Sequence, residues 1–124
     1  MTLNKILAFD ALTCALMGAL LILFAPALAA WLGLPRDLLF YAGWLLIPVA
    51  LFMALLARGT PPWMGGVWLV ILGNAGWVLA SLAILPVTGP NLLGAGFVLV
   101  QAGVVACFTM VELGAARRFA GVVR

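Results

Sequence analysis

Histidine is absent from the 124 residues, and few side chains carry charge: three acids stand against six bases. The lack of imidazole closes general acid/base work by histidine, histidine haem ligation and the usual catalytic zinc sites. Charged residues make up 7% of the chain, where a soluble domain carries roughly a quarter. A soluble globular domain is thereby excluded. The six bases lie singly or in one pair, so there is no clustered basic stripe of the kind that grips phosphates, and a nucleic-acid partner is not expected. The two cysteines, Cys14 and Cys107, form no CxxC pair and read as small apolar packing residues. A disulfide between them is the lesser alternative, because the reading below places both toward a reducing side.

What the sequence has in excess is apolar length. Hydrophobic residues make up 68% of it and the mean hydropathy is +1.34. Disorder is excluded too, since so apolar a chain has much surface to bury. A spanning helix uses about 20 residues, which leaves room for roughly four or five crossings and no separate aqueous domain. Four apolar runs are punctuated by proline, glycine and charge: helices are expected over 6–25, 38–57, 66–85 and 92–113. The expected fold is all-α, a single four-helix transmembrane bundle over 1–124. Period-2 alternation is absent, which argues against a barrel. Pro26 should kink the end of the first helix or turn it into a short interfacial piece, and Pro48 should bend the second.

With a cytoplasmic amino terminus, Lys5, Arg58, Arg117, Arg118 and Arg124 fall inside and Arg36 alone falls outside. The positive-inside rule therefore puts both termini in the cytoplasm. Lys5, the following apolar run and AlaLeuAla at 27–29 also imitate a signal peptide with its cleavage site. Asp10 interrupts that run, and retention of residues 1–29 is the preferred reading.

In so apolar a chain the polar groups inside the membrane are the informative ones. Asp10 is read first as a carboxylate paired with Arg58, Lys5 or Arg117, and second as a protonatable group that binds a cation. Glu112, near the expected end of the fourth helix, reads as a solvated interfacial charge. If it faces Asp10, the two make a two-carboxylate cation site. Asn74 and Gln101 are expected to hydrogen-bond each other between helices. A sharper alternative sets them with Trp77 and Ser81 around a small hydrophobic ligand. Trp31, Trp63 and Trp68 suit the membrane interface, whereas Trp77 lies too deep for it. Small residues mark the expected packing faces: Ala15 on the first helix, Gly73 and Gly76 on the third, Gly103 on the fourth. Ser81 has no adjacent base, the glycines form no phosphate loop and the carboxylates lack metal-ligand partners, so neither an enzyme, a cofactor nor a metal is expected.

A first helix ending in PheAlaProAlaLeuAlaAlaTrpLeuGlyLeuPro (24–35), then TyrAlaGlyTrp (41–44) and two Gly/Ala-rich helices, resembles small four-helix bacterial membrane proteins of the DoxX-like type. The resemblance spans most of the chain and is carried by composition and layout. It implies a multi-pass protein of a bacterial inner (plasma) membrane. Some members of that group are associated with membrane quinone oxidoreductases, and no residue here receives that chemistry. Small multidrug-resistance transporters are similar in size and carry an acid in helix one, but the aromatic and glycine pattern around Asp10 departs from theirs.

The expected function is thus a non-enzymatic membrane protein acting as a complex subunit, scaffold or small-lipid binder. Its partners would be the bilayer and either other subunits or further copies of itself. The alternative is a proton-coupled transporter of hydrophobic cations that uses Asp10. The orientation is testable with reporter fusions. Green fluorescent protein joined after residue 124 should fluoresce and alkaline phosphatase there should be inactive, and an active phosphatase would reverse the topology.

Overall fold

The computed structural model describes residues 2–59 and 62–123, with side chains through Arg118. The middle of the expected 59–62 turn and the tail residue Arg124 lie outside the described residues. Five helices follow in order: α1 Leu3–Leu23, α2 Ala25–Leu32, α3 Arg36–Arg58, α4 Met64–Thr88 and α5 Leu92–Val123. Four of them, α1, α3, α4 and α5, are long and apolar enough to cross a membrane. The chain is a small all-α integral membrane protein, and no strand occurs among the described residues.

The helix ends follow local chemistry. Thr2 caps α1 by accepting from the Lys5 amide, which satisfies one of the orphan donors of a first turn. At Phe24 the backbone leaves helical geometry, and Pro26 sits at the start of α2, where its missing N–H is no loss. The expected four helices therefore become five, the added one being the short piece foreseen at Pro26. Gly33 ends α2 with φ 70°, and Gly89 ends α4 with φ 57°, a left-handed cap that a side chain rarely adopts. Helix α3 continues through Pro48.

Asparagines tie these ends together. The Asn4 amide donates to the carbonyls of Ala57 and Gly59 at the end of α3. Those carbonyls have no partner within their own helix. Asn91 caps α5 by accepting from Gly94 N at 2.8 Å, while its amide donates to Trp31 O at 2.9 Å and its backbone N–H to Leu32 O at 3.2 Å. The end of α2 is thus fastened to the start of α5.

Helix α1 packs most extensively on α3 and α4 on α5; narrower contacts of α1 and α2 with α5 join the two pairs. The backbones of α1 and α4 do not meet. The core runs from Leu3, Ile6 and Leu7 through Met53 and Val67 to Ala115 and Ala116. Large apolar side chains such as Leu16, Leu23, Tyr41, Leu72 and Leu93 face outward, the surface a bilayer solvates.

The close approaches are not at the glycines expected to pack. A Cβ on Gly43 would stand 2.8 Å from the Gly18 carbonyl oxygen, and one on Gly18 would stand 3.0 Å from that of Gly43. These two glycines set the α1–α3 crossing. On Gly94 a Cβ would run into the Leu32 carbonyl. By contrast, Gly73, Gly76 and Gly103 have open space where a Cβ would go. They do not mediate packing within the chain, because the small-residue stripes of α4 and α5 turn outward. Ala15 does pack against the core, half-buried.

Substitution with alanine separates the two sets by sign. Gly43→Ala and Gly94→Ala should destabilise the detergent-solubilised protein by about 1–3 kcal/mol through backbone displacement. Gly73→Ala and Gly103→Ala should be neutral or stabilising by up to about 1 kcal/mol, the gain in helix propensity. Thermal and denaturant unfolding read the difference.

Candidate functional site

Because α1 and α4 stay apart, a long polar side chain crosses the space between the helix pairs at one level, and a second polar level lies within the α4–α5 pair. At the first, the Asn74 amide nitrogen on α4 donates 3.0 Å to Asp10 Oδ2 on α1 and 3.0 Å to Glu112 Oε1 on α5. An amide nitrogen carries two hydrogens, so one serves each carboxyl group. The Cys14 thiol donates to Asp10 Oδ1 at 3.7 Å. All four side chains are buried; Asp10 is 2% exposed and Glu112 0%. The second Glu112 oxygen, Oε2, is buried without a hydrogen-bond partner.

The expected guanidinium pairing of Asp10 is replaced by this amide bridge. Lys5, Arg58, Arg117 and Arg118 are all exposed. Lys5 precedes Asp10 by five residues, about 140° around a helix, and so lies on another face. Glu112 is likewise not a solvated end charge. Helix α5 runs ten residues past the expected end at Leu113, to Val123, and the buried Ala115 and Ala116 beyond Glu112 keep water from it. A helical side chain points back toward its own amino terminus, which carries the Glu112 carboxyl toward the membrane interior and Asn74.

The second level lies three to seven residues further along α4, about 5–10 Å at helical rise. Trp77 Nε1 donates to Gln101 Oε1 at 2.8 Å, Gln101 Nε2 donates to Ser81 Oγ at 2.9 Å and to Val98 O at 3.0 Å, and Ser81 Oγ donates to Trp77 O at 2.7 Å. Asn74 and Gln101 therefore do not bond each other, each being engaged at its own level. Trp77 and Ser81 do join Gln101, as the alternative grouping had it, but Asn74 belongs elsewhere.

Two cavities adjoin these levels. The larger, about 920 Å3, extends along α1 and α5 from Leu32, Leu92 and Gly96 to Phe108, Cys14 and Asp10. The smaller, about 420 Å3, lies toward Leu38, Leu45 and Ile84. Met17, Trp77, Phe97 and Gln101 line both, so the second polar level stands between them. Cys14 and Cys107 are free thiols, one buried and the other exposed.

Among the described residues no group of three or more metal-ligating side chains assembles. No family model, no curated protein and no solved structure matches the chain.

Sequence reasoning missed Asn4 and Asn91. The second carried a usable signal: asparagine after Pro90 and three residues before Gly94, just ahead of an apolar run, is an N-cap pattern.

The amide bridge has a measurable energy. Asn74→Leu removes the donor shared by two buried carboxyl groups and should lower stability by about 1–3 kcal/mol. The same change in an Asp10→Asn, Glu112→Gln background should be markedly milder, because coupled groups are not additive. Equal losses in both backgrounds would mean that the amide and the carboxyl groups act independently.

Proposed function

We propose that this chain is a non-enzymatic membrane protein that holds one small, mostly apolar molecule, taken from the bilayer, in the larger cavity. The observation that carries the reading is the cavity itself. Its 920 Å3 falls within the roughly 300–1,000 Å3 of small-molecule sites. Its walls are leucine, valine and phenylalanine along most of their length, with Gln101, Thr13 and Asp10 the few polar groups. That distribution suits an apolar body with one polar end, the chemistry of a small lipid. The layout of the spans, which resembles that of small bacterial membrane proteins, supports a bacterial inner membrane as the setting.

Gly96 offers a clean test. It lines the cavity and has open space at its Cβ, so Gly96→Phe fills the site without moving backbone. In nanodiscs containing a diazirine fatty acid, photolabelling should concentrate on α1 and α5 and fall severalfold in Gly96→Phe. Gly73→Phe, whose added side chain enters open space away from the cavity, should label like the unaltered protein. Equal labelling in both variants would remove the cavity as the binding site.

A further inference from the structure

We propose that the molecule held in the larger cavity is a lipophilic alcohol, whose hydroxyl donates a hydrogen bond at the end bounded by Asp10 and Thr13. This rests on the cavity reading above and adds the chemistry of the ligand's polar end. The polar side chains lining the cavity are Asp10, Thr13, Cys14, Trp77 and Gln101. Asp10 accepts on both oxygens, from Cys14 and from Asn74, and the hydrogens of the other four are already engaged. The Thr13 hydroxyl donates to Phe9 O at 2.9 Å, the Cys14 thiol to Asp10 Oδ1 at 3.7 Å and the Trp77 indole to Gln101 Oε1 at 2.8 Å. Both hydrogens of the Gln101 amide are taken as well, by Ser81 Oγ and Val98 O.

Acceptor places, by contrast, are left over. A hydroxyl or amide oxygen has two lone pairs and a carboxyl group about four acceptor sites. Among the described residues Thr13 Oγ1 accepts nothing, and Gln101 Oε1 and each Asp10 oxygen accept once. A polar group carried into hydrocarbon must find a partner there or bear the cost of its lost water. An ether, ketone or ester brings acceptors alone and meets no free side-chain donor. A carboxylate or phosphate meets the same difficulty with a charge added. A hydroxyl donates, and it carries no charge into walls of leucine, valine and phenylalanine. A fatty acid satisfies the condition as the protonated acid, whose O–H donates likewise. The main-chain N–H groups that α5 does not use itself belong to its first turn, where Leu92 and Leu93 are exposed at the far end of the cavity. The hydroxyl therefore sits by Asp10 and Thr13, neighbours on one face of α1, and the chain extends toward Gly96 and Leu92. Between Phe108 and Leu92 helix α5 rises about 24 Å at 1.5 Å per residue, which suits an elongated molecule.

The test compares hexadecanol carrying a diazirine either near the hydroxyl or near the far end of the chain with the methyl ethers of both, on the whole protein in phosphatidylcholine nanodiscs. The alcohols should half-saturate photolabelling at about a tenfold lower mole fraction than the ethers, whose oxygen enters the cavity without a donor. The alcohol with its diazirine near the hydroxyl should mark α1 around Thr13 and α5 around Val105 and Phe108, and the other should mark α5 around Gly96 and Phe97. Gly96→Phe should lower labelling by both alcohols severalfold. Equal labelling by alcohol and ether, each lowered by Gly96→Phe, overturns the hydroxyl reading and leaves the cavity reading standing. A hydroxyl-end diazirine that marks Leu92 and Leu93 instead overturns the placement beside Asp10 and Thr13. If Gly96→Phe lowers the labelling of no probe, the cavity reading itself fails and the alcohol falls with it.

Discussion

One amide holds the two halves of this protein in register. The α1–α3 pair and the α4–α5 pair each have extensive helix contacts of their own. Across the middle, where α1 and α4 do not touch, Asn74 reaches from one pair into the other and binds Asp10, while its second hydrogen meets Glu112. Lipid tails are as apolar as leucine, so helices in a bilayer gain little from hiding apolar side chains against each other. Specific hydrogen bonds and close backbone contact must then decide how the pairs sit. Gly18 against Gly43 supplies the close contact within the first pair. The Asn91 cap fastens α2 to α5 at one end of the molecule, and the Asn74 bridge acts further along the spans. The space left between these fastenings is the cavity.

The spans were legible in the sequence because their signal is coarse. Runs near 20 residues bounded by proline, glycine and charge give length and number directly, and Pro26 announced the break that becomes α2. The site was legible only as a set of depths. Asp10, Asn74, Trp77, Gln101 and Glu112 were singled out as costly polar residues, yet which of them meet depends on helix rotation, and no hydropathy run encodes rotation. In α1 and α4, apolar residues surround the helix on nearly every side, so no polar face orients it. The same gap explains the glycines. A repeat of small residues marks a narrow helix face without saying whether another helix lies there. Gly73, Gly76 and Gly103 turned out to face open space, while Gly18 and Gly43 meet.

Glu112 shows how a misplaced helix end changes chemistry. Gly114 and the paired arginines after it look like the close of a span, which makes Glu112 a terminal charge in water. Glycine within a helix is tolerated at about 1 kcal/mol, and α5 passes through Gly114 without stopping. The next two residues, Ala115 and Ala116, then pack into the core. The carboxyl that seemed to lie in the headgroups is thereby sealed inside, and its geometry becomes that of a site.

The two polar levels invite a direct comparison, since both are built from the same α4 and α5. In the Trp77–Gln101–Ser81 level each donor finds an acceptor: the indole meets the amide oxygen, the amide nitrogen meets a hydroxyl and a carbonyl, and the hydroxyl meets a carbonyl. Such a closed network rigidifies the helices. The Asp10–Asn74–Glu112 level uses one neutral donor for two acids and leaves an oxygen bare. Packing alone gives no reason for it, because apolar side chains of similar volume in place of buried charged groups are often neutral or stabilising. The closed level therefore serves the fold. The open one, beside a cavity lined almost wholly by hydrocarbon, leaves a buried carboxyl oxygen without a donor.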